Sequence, residues 1–427
     1  MFGATFVLVL ARQVVGRGPG VWSLFVVGGA ATILTGVLGP SAAGSVLYDE
    51  LPVLLFLLAL FVFAEALREA GALDHLAHWL IGRARRPSDL PLILFVGLGL
   101  VSALFINDAL VLVGVPILVG VAARLRTDAK PLVLVLAFAV TVGSTLTPFG
   151  NPQNLLIALA AGFSSPVGTF FEYLGIPTAI NLVVGGWFLG RVYRRSMPAA
   201  DDHFARVRAE APALLPSGGW ARRLAAKPVL WVFPVTMGVL IGADLVTAFV
   251  HGPTVPIWAI ALGGTGVLLV ASPRRVSIVR AVNWRILLLF VGLFVVVQGA
   301  VVGGVVSQIE GIFPVQGPGH PASLLTIVGT TLVGSQAVSN VPWVGLQIPV
   351  LTGLGYSART PIAWMGLAAA STLAGNVTLL GAASNLIVTE TAERSGIRIR
   401  LHDFVRVGLP LTAITVGVVV ACLAVGL

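Results

Sequence analysis

The chain has 427 residues, of which 57% are hydrophobic and only 10% charged, and its mean hydropathy is +0.99. A soluble domain carries roughly a quarter charged residues, so this composition excludes an ordinary soluble protein and leaves a polytopic membrane protein with room for about ten crossings. The net charge of +9 sits in short loops between apolar runs, which reads as a topology signal and excludes a nucleic-acid partner.

Cys422 is the one cysteine, so no disulfide, thiolate metal site or redox pair forms within the chain. The first residues, MFGATFVLVLARQ, have no basic region before the apolar stretch, and no cleaved signal peptide is expected. Residues 1–11 are too short to span alone; 21–39 is the first expected span and 51–66 the second. His75 and His78 lie on an amphipathic piece, 74–81, that reads as an interfacial helix face rather than a metal site or proton relay. Arg83, Arg85 and Arg86 then mark a cytoplasmic loop.

Residues 90–127 are apolar except at Asn107 and Asp108, with basic residues at both ends, and are expected to form a re-entrant helical hairpin whose tip is that pair. A broken helix follows at 131–161, then an external loop with Glu172 and a return span at 174–190. Residues 193–228 form a cytoplasmic linker between an N-terminal repeat, 1–192, and a C-terminal repeat, 229–427. The second repeat has spans at 229–250, 254–271 and 286–303, an external loop with Glu310, a hairpin at about 321–355, a broken helix at about 361–392 and a last span at 407–427. Loop charge lets the Asn107 stretch enter from inside and the Asn340 stretch from outside, with Arg359 a dissenting external arginine. The expected fold is therefore an all-α polytopic membrane protein of two inverted-topology repeats, each with a re-entrant hairpin and a broken transmembrane helix, in a cell (inner) membrane.

The repeat is visible in the spacing. Thr147 stands three residues before Gly150 and seven before Asn154, and Thr378 stands three before Gly381 and seven before Asn385. Asn107 precedes Pro116 by nine residues, as Asn340 precedes Pro349. Glu65 and Gly71 are six apart, as are Gln298 and Gly304.

Polar, breakable segments at membrane depth survive only where freed backbone groups are buried in protein or line a cavity. A broken helix presents a half-helix N-terminus, with free amide donors, to whatever sits at the break. Asn107, Asn154, Asn340 and Asn385 add donors and acceptors, and Ser144, Thr147, Ser339, Thr378 and Ser384 add hydroxyls. That set suits an oxyanion, a carboxylate or a small neutral hydroxy acid, while freed carbonyls suit a cation; the bland alternative is that these groups cap broken helices and mediate packing. Asp108 is the candidate proton-coupling group, because apolar surroundings penalise its charged form; the alternative is a helix cap. Glu65, Asp244 and Glu390 are weaker candidates near the interface. No GxxxxGK[ST] loop is present, so ATP drive would need a cytoplasmic ATPase partner subunit. No HExxH, GxSxG or histidine cluster accompanies the spans, so neither an enzyme nor a bound cofactor or metal is expected. A passive channel is disfavoured because inverted halves with a midplane site suit alternating access.

NDALVLVGVPI (107–117), GSTLTPFGNPQNLLI (143–157), SNVPWVGLQIPVL (339–351) and GAASNLIV (381–388) resemble the ion transporter superfamily, nearest its branch of arsenite efflux permeases, sodium/proton antiporters and anion permeases. The GNPQN run brings Gly150 and Asn151, with Gly381 in the echo, into the candidate substrate site. The resemblance implies a scaffold domain that often dimerises and a transport domain that moves as an elevator. Sodium-coupled dicarboxylate members carry Ser-Asn-Thr at both tips, whereas here the tips read Ile106-Asn107-Asp108 and Ser339-Asn340-Val341. Asn-Asp is similar to the arsenite permeases and implies proton-coupled export of arsenite or antimonite, small anions or neutral metalloid hydroxides. The rivals are a sodium/proton antiporter built on Asp108 and a carboxylate or inorganic anion permease.

Overall fold

The structure is a computed structural model and describes residues 2–15, 19–197, 202–210, 227–249, 255–305, 308, 311, 315–379 and 381–426. Every regular element among them is helical. Helices α1 (Phe2–Val15) and α2 (Val21–Leu34) lead to α3 (Pro40–Asp49) and α4 (Leu51–Glu69). The expected span over 21–39 thus stops at Leu34, because Gly36 takes a left-handed turn and Pro40 starts a new helix at its first position. On α5 (Ala72–Arg83), the Nδ1 atoms of His75 and His78 lie 2.7 Å from the carbonyls of Gly71 and Asp74, so both rings are tied to their own helix.

Helices α6 (Leu90–Ser102) and α7 (Asn107–Leu125) are joined by residues 103–106. The turn lies before Asn107 and Asp108, which open the second arm instead of forming the tip; Ile106 is the N-cap, and Asp108 makes no side-chain cap. Helix α8 (Ala129–Gly143) passes through a single turn, Ser144–Leu146, before α9 (Pro152–Ala160) resumes. The interruption follows from the sequence: Thr147 is extended, and Asn151 caps α9 just before Pro152 fixes its first turn. Long α10 (Pro166–Tyr193) and short α11 (Asp202–Glu210) close this half. Most of the expected linker, including 211–226, lies outside the described residues.

The second half runs through α12 (Val229–Phe249), α13 (Ile257–Ala271), α14 (Arg275–Ala281) and α15 (Trp284–Val302). Glu310 lies outside the described residues. Helices α16 (Ser323–Val338) and α17 (Asn340–Gly353) meet at Ser339, and the interruption between α18 (Pro361–Ala374) and α19 (Ala383–Arg394) covers 375–382 before α20 (Leu401–Val425).

Among the described residues, seven helices are long and apolar enough to cross a membrane, with five shorter apolar ones between them. The α8 segment is the innermost: 89% of its window is buried, against 39% for the windows of α10 and α12. It is held there by a backbone approach that only glycine allows, since a Cβ on Gly143 would lie 1.9 Å from the Gly99 carbonyl of α6. Helices α10 and α20 pack together, and Asn181 Nδ2 donates to Thr415 O at 3.0 Å across them. Val235, Val267, Val270 and Trp187 point outward, as lipid-facing positions do.

Candidate substrate site

Two helix starts, those of α7 and α17, meet the two interruptions around a cavity of about 100 Å³. In each interruption the backbone has left the helix, so side chains must satisfy its carbonyls. Asn154 Nδ2 donates to Ser144 O at 3.0 Å and Thr147 O at 3.1 Å, while Asn151 Oδ1 accepts from Asn154 N at 2.9 Å. Thr147 Oγ1 accepts from the amides of Phe149 and Gly150, both at 3.2 Å, and donates to Ala103 O of the neighbouring tip. Gly150 packs so closely that a Cβ there would stand 2.6 Å from the Ser144 backbone.

The second interruption repeats these bonds. Asn385 Nδ2 donates to Gly375 O and, at 3.2 Å, to Thr378 O. Thr378 Oγ1 donates to Gln336 Oε1 at 2.8 Å, and Gln336 Nε2 reaches Ala374 O at 2.8 Å. Each tip is pinned to its interruption in the same way: Asn107 N donates to Gly150 O and Asn340 N to Gly381 O, both at 3.2 Å. The first interruption also touches the last turn of α18, since Asn151 Nδ2 donates to Thr372 Oγ1 and that hydroxyl donates to Asn154 Oδ1, both at 3.1 Å.

The Asn107 carboxamide faces Gly150 O at 3.1 Å and Val140 O at 3.0 Å with its nitrogen and accepts from Ser144 Oγ at 3.0 Å with its oxygen. The opposite orientation, with nitrogen toward Ser144 Oγ, would set oxygen against carbonyl oxygens and is rejected on that ground.

The residues singled out from sequence divide into two groups. Asn107, Asp108, Asn151, Ser339, Asn340 and Ser384 line the cavity. Ser144, Thr147, Gly150, Asn154, Thr378, Gly381 and Asn385 lie behind them and shape the loops. Thr141, Gln153 and Thr372 also line the cavity and were missed, as was Gln336 behind it. A signal existed for two of them, because Thr141 and Thr372 each stand thirteen residues before the equivalent Asn154 and Asn385.

The other carboxylates have local partners or lie outside: Glu65 pairs with Arg68, Glu390 is exposed, and Asp244 Oδ2 accepts from Ser165 Oγ at 2.6 Å and from the amides of Val167 and Gly168 at the start of α10. Among the described residues, no group of three or more His, Cys, Asp or Glu could hold a metal ion.

The cavity's described lining contains no lysine, arginine or histidine, and Asp108 is its one ionisable group. Carboxamides and hydroxyls around a small volume can orient a solute by hydrogen bonds without supplying positive charge. The citrate transporter family, CitMHS, matches the chain over residues 6–370. The chain belongs to that family. As a CitMHS-family membrane transporter it is 29% identical to the "46 kDa membrane protein" of Mycobacterium leprae (strain TN), over 86% of this chain and 84% of the relative. It is 27% identical to the "Silicon efflux transporter LSI3" of Oryza sativa subsp. japonica, over 86% and 85% of the two chains. The solved YdaH transporter of Alcanivorax borkumensis superposes with a TM-score of 0.54 over 90% of this chain and 86% of that one, at 15% identity, a likeness of fold.

Proposed function

We propose that this transporter moves a small, uncharged hydroxy acid of the arsenite and antimonite class out of the cell by alternating access, coupled to protons through Asp108. The carrying observation is the cavity itself: about 100 Å³, walled by carboxamides and hydroxyls, with Asp108 its one ionisable group among the described residues. The cavity is small and suits a compact solute. A polyanion would also need positive partners that the described lining does not offer. Trivalent arsenic and silicon both exist near neutral pH as undissociated hydroxy acids, which agrees with the silicon efflux for which the rice relative is named. The matching bonds of Asn107 with Gly150 and Asn340 with Gly381 support two inverted repeats, 1–192 and 229–427, whose tips and interruptions move together as the transport unit.

The family's name supports a second reading, a carboxylate permease. The two separate in inside-out vesicles with an imposed proton gradient. The expected result is gradient-driven uptake of arsenite, no uptake of citrate, and an Asp108→Asn variant that binds arsenite but loses the response to the gradient. Citrate uptake with arsenite inert would establish the carboxylate reading; sodium-driven proton flux lost in the same variant would establish the antiporter.

A further inference from the structure

A second, larger cavity of about 620 Å³ lies along the same helices that wall the small one. The inner cavity takes Pro152 and Gln153 of α9, Leu289 and Phe290 of α15, and Val341 and Pro342 of α17. The larger one takes later residues of each helix, Leu156 to Ala160, Leu293 to Val301 and Gly345 to Thr352. Three helices that line both cavities in sequence define one direction of travel. That direction ends at the face carrying the start of α4, the end of α12 and the start of α13, which loop charge assigns to the outside.

The charge of this larger cavity runs against that of the chain. The protein carries a net +9, yet the described residues lining the cavity include Asp49, Glu50 and Asp244 and no lysine, arginine or histidine. Asp244 is neutralised in part by the three donors at the start of α10. Asp49 is exposed and Glu50 half-buried at the rim, with no amide cap for Glu50 at the start of α4. Burial, and secondarily the charge of Asp49, push the Glu50 carboxyl above its usual range, so its share of the negative field grows as pH rises. A low-dielectric cleft lined by one sign of charge concentrates its potential inward.

We infer that this cavity is the outer vestibule of the transport path and that Asp49 and Glu50 make it an electrostatic filter, admitting neutral and cationic solutes and turning back anions. The inference deepens the proposed function, on which it rests for its direction, by naming two specificity-determining residues remote from the inner cavity.

The test uses thiol reactivity. Cys422 is buried, so single cysteines introduced as Gln298→Cys and Thr352→Cys stand out against the labelling of the unaltered chain. Intact cells are treated with two membrane-impermeant methanethiosulfonates of similar size, one carrying a quaternary ammonium and one a sulfonate. Both cysteines are expected to react from outside, the cationic reagent faster by about tenfold, as a focused potential predicts. In an Asp49→Asn, Glu50→Gln background that preference is expected to fall to about unity, and in the unaltered background raising salt from about 0.01 M to about 1 M should erase it, since the Debye length shrinks from about 30 Å to about 3 Å. The salt series stands alone if the double variant does not fold. Thiols that react only after denaturation would overturn the vestibule; equal rates for the two reagents, or a preference that salt leaves unchanged, would overturn the filter. Arsenite plays no part in the readout, so this result and that of the vesicle experiment fail separately.

Discussion

At the N-terminal interruption the Asn154 side chain is fully engaged: its nitrogen reaches two loop carbonyls and its oxygen accepts from Thr372. At the C-terminal interruption Asn385 makes the equivalent pair of nitrogen bonds, but its Oδ1 is buried without a partner among the described residues. The tips differ in the same sense. Asn107 is bonded at both ends of its carboxamide, whereas Asn340 Oδ1 and Ser335 Oγ are buried without a partner among the described residues. Ile106, before Asn107, has an ordinary extended backbone; Ser339, before Asn340, has φ 73 and ψ 162, a region almost reserved for glycine. The shared bonds set the shape of both loops, and the unshared ones leave the C-terminal half with unmet demand, at about 1–3 kcal/mol for each buried orphan. That half is the one with most to gain from a ligand or from moving.

Substitutions that fall on equivalent positions break this comparison in order of size. Gly150→Ala is expected to be the most damaging, costing about 3 kcal/mol because the new methyl meets the Ser144 backbone at 2.6 Å. Gly381→Ala meets Ala374 O at 2.8 Å and otherwise the flexible Gln336, so about 1–2 kcal/mol is expected. Denaturant or thermal unfolding in detergent ranks them, and an equal loss would remove the claim that the first interruption is the stiffer.

Next come the two asparagines. Asn154→Ala strands two carbonyls and the Thr372 hydroxyl and is expected to lower stability by about 2–3 kcal/mol; Asn385→Ala strands two carbonyls but also removes an orphan, so about 1–2 kcal/mol is expected. The reverse ranking in the same assay would refute the asymmetry.

The smallest effect has the opposite sign. Ser339→Gly relieves a backbone strain of about 1–3 kcal/mol against a glycine cost of about 0.5–1 kcal/mol, so a net gain of about 1 kcal/mol is expected, while Ile106→Gly should only destabilise. A loss of stability on Ser339→Gly would mean that the tip is not strained.

Much of this architecture was legible in the sequence. Composition indicated helices in a membrane, and glycine and asparagine at 143–154 and 375–385, with proline in the first, marked where two helices stop, because glycine and proline interrupt a helix and asparagine bonds the backbone they free. The turn before Asn107 was not legible, since Ala103 to Ile106 are as apolar as the arms they join. Nor was the division between cavity-lining and loop-bracing side chains: Asn151 and Asn154 look equivalent in GNPQN, and only their facing in three dimensions puts one at the cavity and the other behind it. Thr372 was overlooked because a threonine in an apolar helix usually bonds its own carbonyl four residues back, as Thr141 does.

The central claim is that the small cavity receives an uncharged hydroxy acid, and thermal unfolding of the purified protein tests it most directly. Arsenite, antimonite, sulfate, citrate and sodium are compared at matched ionic strength, on the unaltered chain and on Asn340→Ala. A ligand at about 100 times its Kd adds about 2.7 kcal/mol of stability. The account predicts a rise in Tm with arsenite and antimonite that Asn340→Ala abolishes, and none with sulfate or citrate. A rise with citrate or sodium alone, arsenite being without effect, would contradict it.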